Sequence, residues 1–97
     1  MALVNISHPF IIAEIFGGSY YLLEIMDLCD YKNKVPITSL VDCKEASHTI
    51  QHVSFDIEEK NQKFPTGCYV YGKSVYFNIA VSGSRHEGSR PICREKG

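Results

Sequence analysis

Residues 64–83, FPTGCYVYGKSVYFNIAVSG, leave less conformational freedom than any other stretch of the chain. Phe64-Pro65-Thr66-Gly67 supplies a turn, Tyr69-Val70-Tyr71 alternates, and Gly72-Lys73 turns the chain again. Val75, Phe77, Ile79 and Val81 then recur at every second position. A period of two sends successive side chains to opposite faces of a pleated strand, and β-branched and aromatic residues suit such a surface. The stretch predicts a β-hairpin with a short glycine-containing turn. A hairpin alone is marginal in water, so the rest of the chain must supply a sheet or a packing layer for it.

The rest of the chain reads largely as strands. In His48 to Glu58, Val53, Phe55 and Ile57 alternate with Ser54, Asp56 and Glu58, which predicts a strand with one face buried and one wet. Glu59-Lys60-Asn61-Gln62-Lys63 is a polar loop. Val35 to Cys43, VPITSLVDC, is strand-like, with Pro36 confining that end to an edge or a strand start. Phe10 to Phe16 and Tyr20 to Cys29 flank Gly17-Gly18-Ser19 and form a second candidate hairpin. The same segment has a helical alternative at about 19–30. There Glu24, Asp27 and Asp30 would line one face, Leu22, Leu23, Ile25, Met26 and Cys29 the other, and Ser19 would be the cap. Phe10-Ile11-Ile12 and Tyr20-Tyr21 start helices poorly, so strands are expected. From Gly83 onward the chain is polar and glycine-rich, a flexible tail or loop over 83–97 unless Cys93 is bridged.

The expected fold class is therefore all-β and disulfide-supported, in one domain over 1–97. The alternative is α+β, with a helix at about 19–30 on an antiparallel sheet. A chain of 97 residues can bury a core but gains from covalent staples. Cys29, Cys43, Cys68 and Cys93 are even in number and contain no C-x2-C pair of the zinc or redox kind. Two disulfides are expected, which requires an oxidising compartment. Three pairings are open.

A formal charge of −1 with scattered basic residues argues against nucleic-acid binding. No apolar run approaches the roughly 18 residues of a membrane span. MALVNISHPF lacks a basic n-region and an apolar h-region, so no signal peptide is expected there. That leaves a cytosolic chain, or a mature secreted one with Met1 added. Asn5-Ile6-Ser7 is a formal N-glycosylation triplet, which adds a little to the secreted reading.

Chemistry-bearing patterns are sparse. His48 and His52 are four apart; on a strand their tips would lie roughly 13 Å from each other, too far to share a metal. No metal or cofactor is expected. Glu14, Glu24, Asp56, Glu58 and Glu59 are not paired by any motif, and Gly17-Gly18 lies in no phosphate-binding pattern. Small secreted ribonucleases use Glu, His and Arg on a sheet; His52, Glu58, Arg85 and His86 supply those types without a motif. The tyrosines carry more. Tyr69 and Tyr71 share one face of their strand beside Lys73, and outward tyrosines are large, rigid, amphipathic recognition groups. Tyr69, Tyr71 and Lys73 are the candidate partner-binding residues.

Over residues 9–82 the order of these elements resembles the MAX effectors of fungal plant pathogens. Phe10 to Phe16 and Tyr20 to Leu28 look like the first two strands, and Val35 to Val41 and Ile50 to Glu58 like the third and fourth. The charged loop of residues 58–63 and Gly67-Cys68-Tyr69-Val70-Tyr71-Gly72-Lys73 are similar to the family's polar loop, cysteine and fifth strand, with Ser74 to Val81 as the sixth. The resemblance implies a six-stranded antiparallel β-sandwich of two three-stranded sheets. The family bridges a cysteine near its first strand to the one opening its fifth. Residues 1–28 contain no cysteine, so Cys29 or Cys43 would have to take that place opposite Cys68.

It further implies a non-enzymatic virulence protein, secreted by a fungus and able to act inside host cells. Its partner would be a host plant protein, such as a heavy-metal-associated-type domain or an immune receptor, met as a monomer without nucleic acid or membrane. The alternatives are a ribonuclease-like secreted protein or effector, and a cytosolic β adaptor of phage or bacterial origin.

Overall fold

The computed structural model describes residues 10–15, 18–50 and 53–96. Among these residues seven strands form one mixed sheet: β1 (Phe10–Ile15), β2 (Gly18–Leu22), β3 (Val35–Pro36), β4 (Ser54–Glu59), β5 (Gly67–Tyr71), β6 (Ser74–Asn78) and β7 (Ser89–Arg94). A 3-10 turn spans Cys29–Lys32 and one helix, α1, spans Leu40–Ser47. The order across the sheet is β1-β2-β7-β5-β6-β4, with β3 pairing β7 beyond the end of β5. All pairs are antiparallel except β4 with β6.

Both expected hairpins form. β1 and β2 pair from Phe10↔Leu22 to Ile15↔Gly18, and β5 and β6 pair from Gly67↔Asn78 to Tyr71↔Ser74. Gly72 takes φ 65° in the two-residue turn, where a side chain would be strained. No helix forms over 19–30. Beyond β2 the chain turns, with Met26 at φ 66°, and only Cys29–Lys32 winds into a 3-10 turn.

Three expectations are corrected. The strands hydrogen-bond as one mixed sheet instead of dividing into two three-stranded antiparallel sheets. The strand expected over Val35 to Cys43 is only Val35–Pro36, and helix α1 takes over from Leu40. Ser39 is the cap: its side chain accepts from the Asp42 backbone N–H at 3.3 Å. Cys43, Ala46 and Ser47 then fall on the buried side. The third correction concerns 83–97. Far from being only a tail, this region supplies β7, inserted between β2 and β5, with Ile92 and Cys93 fully buried. The Cys93 bridge and backbone pairing on both sides hold it there.

Cross-strand partners share a face, so the register defines two sides of the sheet. On one, Tyr20, Cys68, Val70, Val75, Phe77 and Ile92 pack with Ile37 and with Cys43 and Ala46 of α1. On the other lie Tyr21, Leu23, Cys29 and Cys93, and beyond them the row Ile57–Tyr76–Tyr69–Pro91. A bulge in β4 between Phe55 and Ile57 explains why its alternation was misleading. Phe55 packs towards the helical side, whereas the extra residue turns Ile57 to the opposite face, where it is 53% exposed.

Candidate functional site

All four cysteines are bridged, Cys29 to Cys93 and Cys43 to Cys68. The second bridge fastens α1 to β5 and accounts for the cysteine at the start of the hairpin. It lies wholly inside the core between helix and sheet. The first fastens the 3-10 turn to β7 on the opposite face.

That opposite face carries the densest group of aromatic side chains in the described residues. Tyr69 stacks with Phe64 and Tyr76, whose ring centroids are 5.5 and 5.4 Å away and whose planes are inclined to its own by 8° and 26°. His86 lies 4.3 Å from Phe64 and meets Tyr71 edge-on at 5.4 Å. Its Nδ1 lies 3.1 Å from the Gly88 backbone nitrogen, whose N–H points to it. The Tyr69 hydroxyl donates to the Glu59 carboxylate. Burial, then this hydrogen bond and the negative charge of Glu59, push the Tyr69 phenol well above its ordinary value of 10.0. Tyr20, on the helical side, is also raised, first by burial and then by Asp42.

Phe64 reaches this stack because Asn78 holds its loop. The Asn78 amide nitrogen donates to the carbonyls of Asn61 (2.7 Å), Phe64 (3.1 Å) and Pro65 (2.9 Å). Its carbonyl oxygen accepts from the Asn61 and Ala80 backbone N–H groups at 2.9 and 3.1 Å. Every donor and acceptor of a side chain that is 1% exposed is thereby used.

The sequence-based site residues separate here. Tyr69 and Tyr71 do share a face, but Tyr69 is 1% exposed and belongs to the packing, so it is not a surface contact. Three neighbours cover it: Phe64 from the preceding loop, Tyr76 from β6 and Glu59 from β4. Tyr71 is 44% exposed, and Lys73 is exposed at the hairpin turn. Of the ribonuclease-type residues, His52 lies outside the described residues. Glu58 stands across from Phe77 on β6, on the face opposite the one carrying His86's aromatic partners. Among the described residues no group of three or more His, Cys, Asp or Glu is placed to hold a metal ion.

Two features escaped the sequence reading. One is the outer edge of β4, which pairs only with β6 and exposes Asp56, Ile57 and Glu58. The other is a groove of about 280 Å³ on the face away from α1, lined by Leu28, Cys29, Asp30, Pro36, Pro65, Thr66, Val81, Ser82, Gly83 and Pro91. Its walls come from five separate segments, so no local pattern could announce it. No family model, curated protein or solved structure matches the chain. No described helix is long and apolar enough to cross a membrane.

Proposed function

We propose that this chain is a secreted, non-enzymatic binding protein of the effector type, acting on a host plant protein. The observation that carries the reading is the edge of β4. Its outer backbone groups have no partner strand among the described residues, and its exposed Ile57 stands next to Tyr76. Such an edge can extend a partner's sheet by main-chain hydrogen bonds, with adjacent side chains choosing the partner. Two disulfides in so small a chain are compatible with an extracellular protein, and support it over the cytosolic adaptor. The resemblance of residues 9–82 to MAX effectors supplies the fungal source, the passage into host cells and the candidate partners. These are a plant heavy-metal-associated-type domain or an immune receptor. Tyr71 and Lys73 remain contact candidates; Tyr69 is withdrawn.

The test is calorimetric titration of the oxidised chain with a set of plant heavy-metal-associated-type domains and immune receptors. Micromolar binding by one of them, weakened at least tenfold by Ile57→Lys, is expected. Absence of binding throughout the set, together with RNA cleavage that vanishes on His52→Ala or Glu58→Gln, would transfer the protein to the ribonuclease-like alternative.

A further inference from the structure

Resting on the protein-binding reading above, we infer that the groove between the Cys29–Cys93 bridge and the Phe64–Thr66 loop receives an aromatic side chain of the partner, with a Lys or Arg immediately beside it in the partner's sequence. The floor determines the first half of this. It is built from Cys29, Pro65 and Pro91, all buried, with Pro36 at the side. Proline has no N–H to offer. The carbonyl of Pro65 already accepts from the Asn78 amide at 2.9 Å, and that of Pro91 from the Leu23 N–H at 2.9 Å. The proline rings and the disulfide therefore form an apolar patch with no unmet main-chain hydrogen bond at Pro65 or Pro91, beside polar lining from Asp30, Thr66, Ser82 and Gly83. Proline rings and aromatic rings pack face to face in peptide recognition, usually with the proline on the ligand; here the prolines are on the receptor. A volume of about 280 Å³ suits one large side chain, not an extended ligand. Val81 at the rim is 94% exposed, apolar surface that such a side chain would cover.

The rim determines the second half. Asp30 stands at the mouth, exposed, while the neighbouring ion pairs are Lys32 with Asp27, Lys34 with Glu95 and Arg90 with Glu24. Among the described residues Asp30 is in no ion pair. A cation from outside would meet a carboxylate free to receive it, next to an apolar surface that keeps part of the water away. The other rim groups, Thr66, Ser82 and Gly83, carry no charge. The Thr66 hydroxyl oxygen already accepts the Gly83 N–H at 2.7 Å, which leaves its proton to donate.

Three blocked dipeptides, acetyl-Trp-Lys-amide, acetyl-Trp-Glu-amide and acetyl-Ala-Lys-amide, titrated into the isotope-labelled oxidised chain, test this by amide chemical shifts. The Trp-Lys peptide is expected to move the signals of Asp30, Thr66, Ser82 and Gly83 in the millimolar range, and the other two to bind about tenfold more weakly. Asp30→Asn should weaken Trp-Lys about fivefold and leave Trp-Glu no weaker than before. Ser82→Trp, at an exposed position, should fill the groove and abolish the response. Shifts centred elsewhere, equal responses to the three peptides, or none at about 10 mM overturn the assignment. Because no host domain is present, this outcome stands apart from the calorimetric test of the β4 edge.

Discussion

Asn78→Asp exchanges an amide nitrogen for an oxygen at unchanged size, at the point where one side chain holds a whole loop. In the native protein that nitrogen faces three carbonyls with two hydrogens, so at least one hydrogen is shared. In the variant three acceptors would face a fourth. Each net hydrogen bond contributes about 1 kcal/mol, and a buried carbonyl left unpaired costs about 1–3 kcal/mol. The Asn61 and Phe64 carbonyls belong to half-buried residues and can regain water; Pro65 is fully buried. The expected loss is therefore about 3–4 kcal/mol at neutral pH, a fall of about 2 M in the urea midpoint for a domain of this size.

The variant also carries its own signature. Burial among carbonyls favours the neutral acid, which can still donate one hydrogen bond, so the carboxyl would titrate above its ordinary value of about 3.9 in the folded state. Between the unfolded and folded values the folded protein holds more protons, so stability falls as pH rises through that window. The deficit relative to the parent should thus be smallest below about pH 4 and widest at neutral pH. Urea unfolding followed by circular dichroism at several pH values measures both effects. A loss under about 1 kcal/mol, or a deficit that widens on acidification, would refute the clamp.

Other consequences are open to the same measurements. Paired Cys29→Ser and Cys93→Ser changes open a loop of sequence separation 64 and should cost about 4 kcal/mol, against about 3.5 for Cys43→Ser with Cys68→Ser at separation 25. Differential alkylation of the native protein should find no free thiol. Tyr69→Phe removes the bond to Glu59 and should cost about 1 kcal/mol. Because the folded phenol holds its proton above the ordinary 10.0, the parent should lose stability as pH rises past that value, and the Phe variant should lose less on alkaline titration. Gly83→Ala would place a Cβ 2.4 Å from both the Phe64 carbonyl oxygen and the Thr66 nitrogen, contacts with main chain that cannot swing aside. A fall of about 2–3 kcal/mol is expected in thermal or urea unfolding.

What the sequence conveyed was local. The hairpin at Gly72-Lys73 was legible because a period of two and a turn glycine act within a few residues. Even the sharing of a face by Tyr69 and Tyr71 followed from that period. Their exposure did not, since Phe64 and Glu59 arrive from either end of the polar loop and cover one tyrosine but not the other. The helix at Leu40–Ser47 was obscured by the β-branched run at Val35 to Thr38, while its true signal, Ser39 three residues before Asp42, is short and common. β7 was obscured differently. Ser89-Arg90-Pro91-Ile92-Cys93-Arg94 has little strand propensity, and its place is set by partners on both sides and a bridge to Cys29. Likewise the bulge in β4 reverses the faces that plain alternation assigns.

The insertion of β7 between β2 and β5 also sets an order of events in folding. The two hairpins become one sheet only when residues 89–94 pair between them, and their local contacts are expected to form first. Cys43 and Cys68 close the shorter loop and can meet while β7 is still absent, whereas Cys29 gains its partner only when the last strand docks. During oxidative refolding the one-bridge species that accumulates should therefore be Cys43–Cys68, with two strand edges exposed at the gap. The rate of its conversion, more than the equilibrium stability of the finished protein, would decide how much of the chain reaches the native state before aggregating.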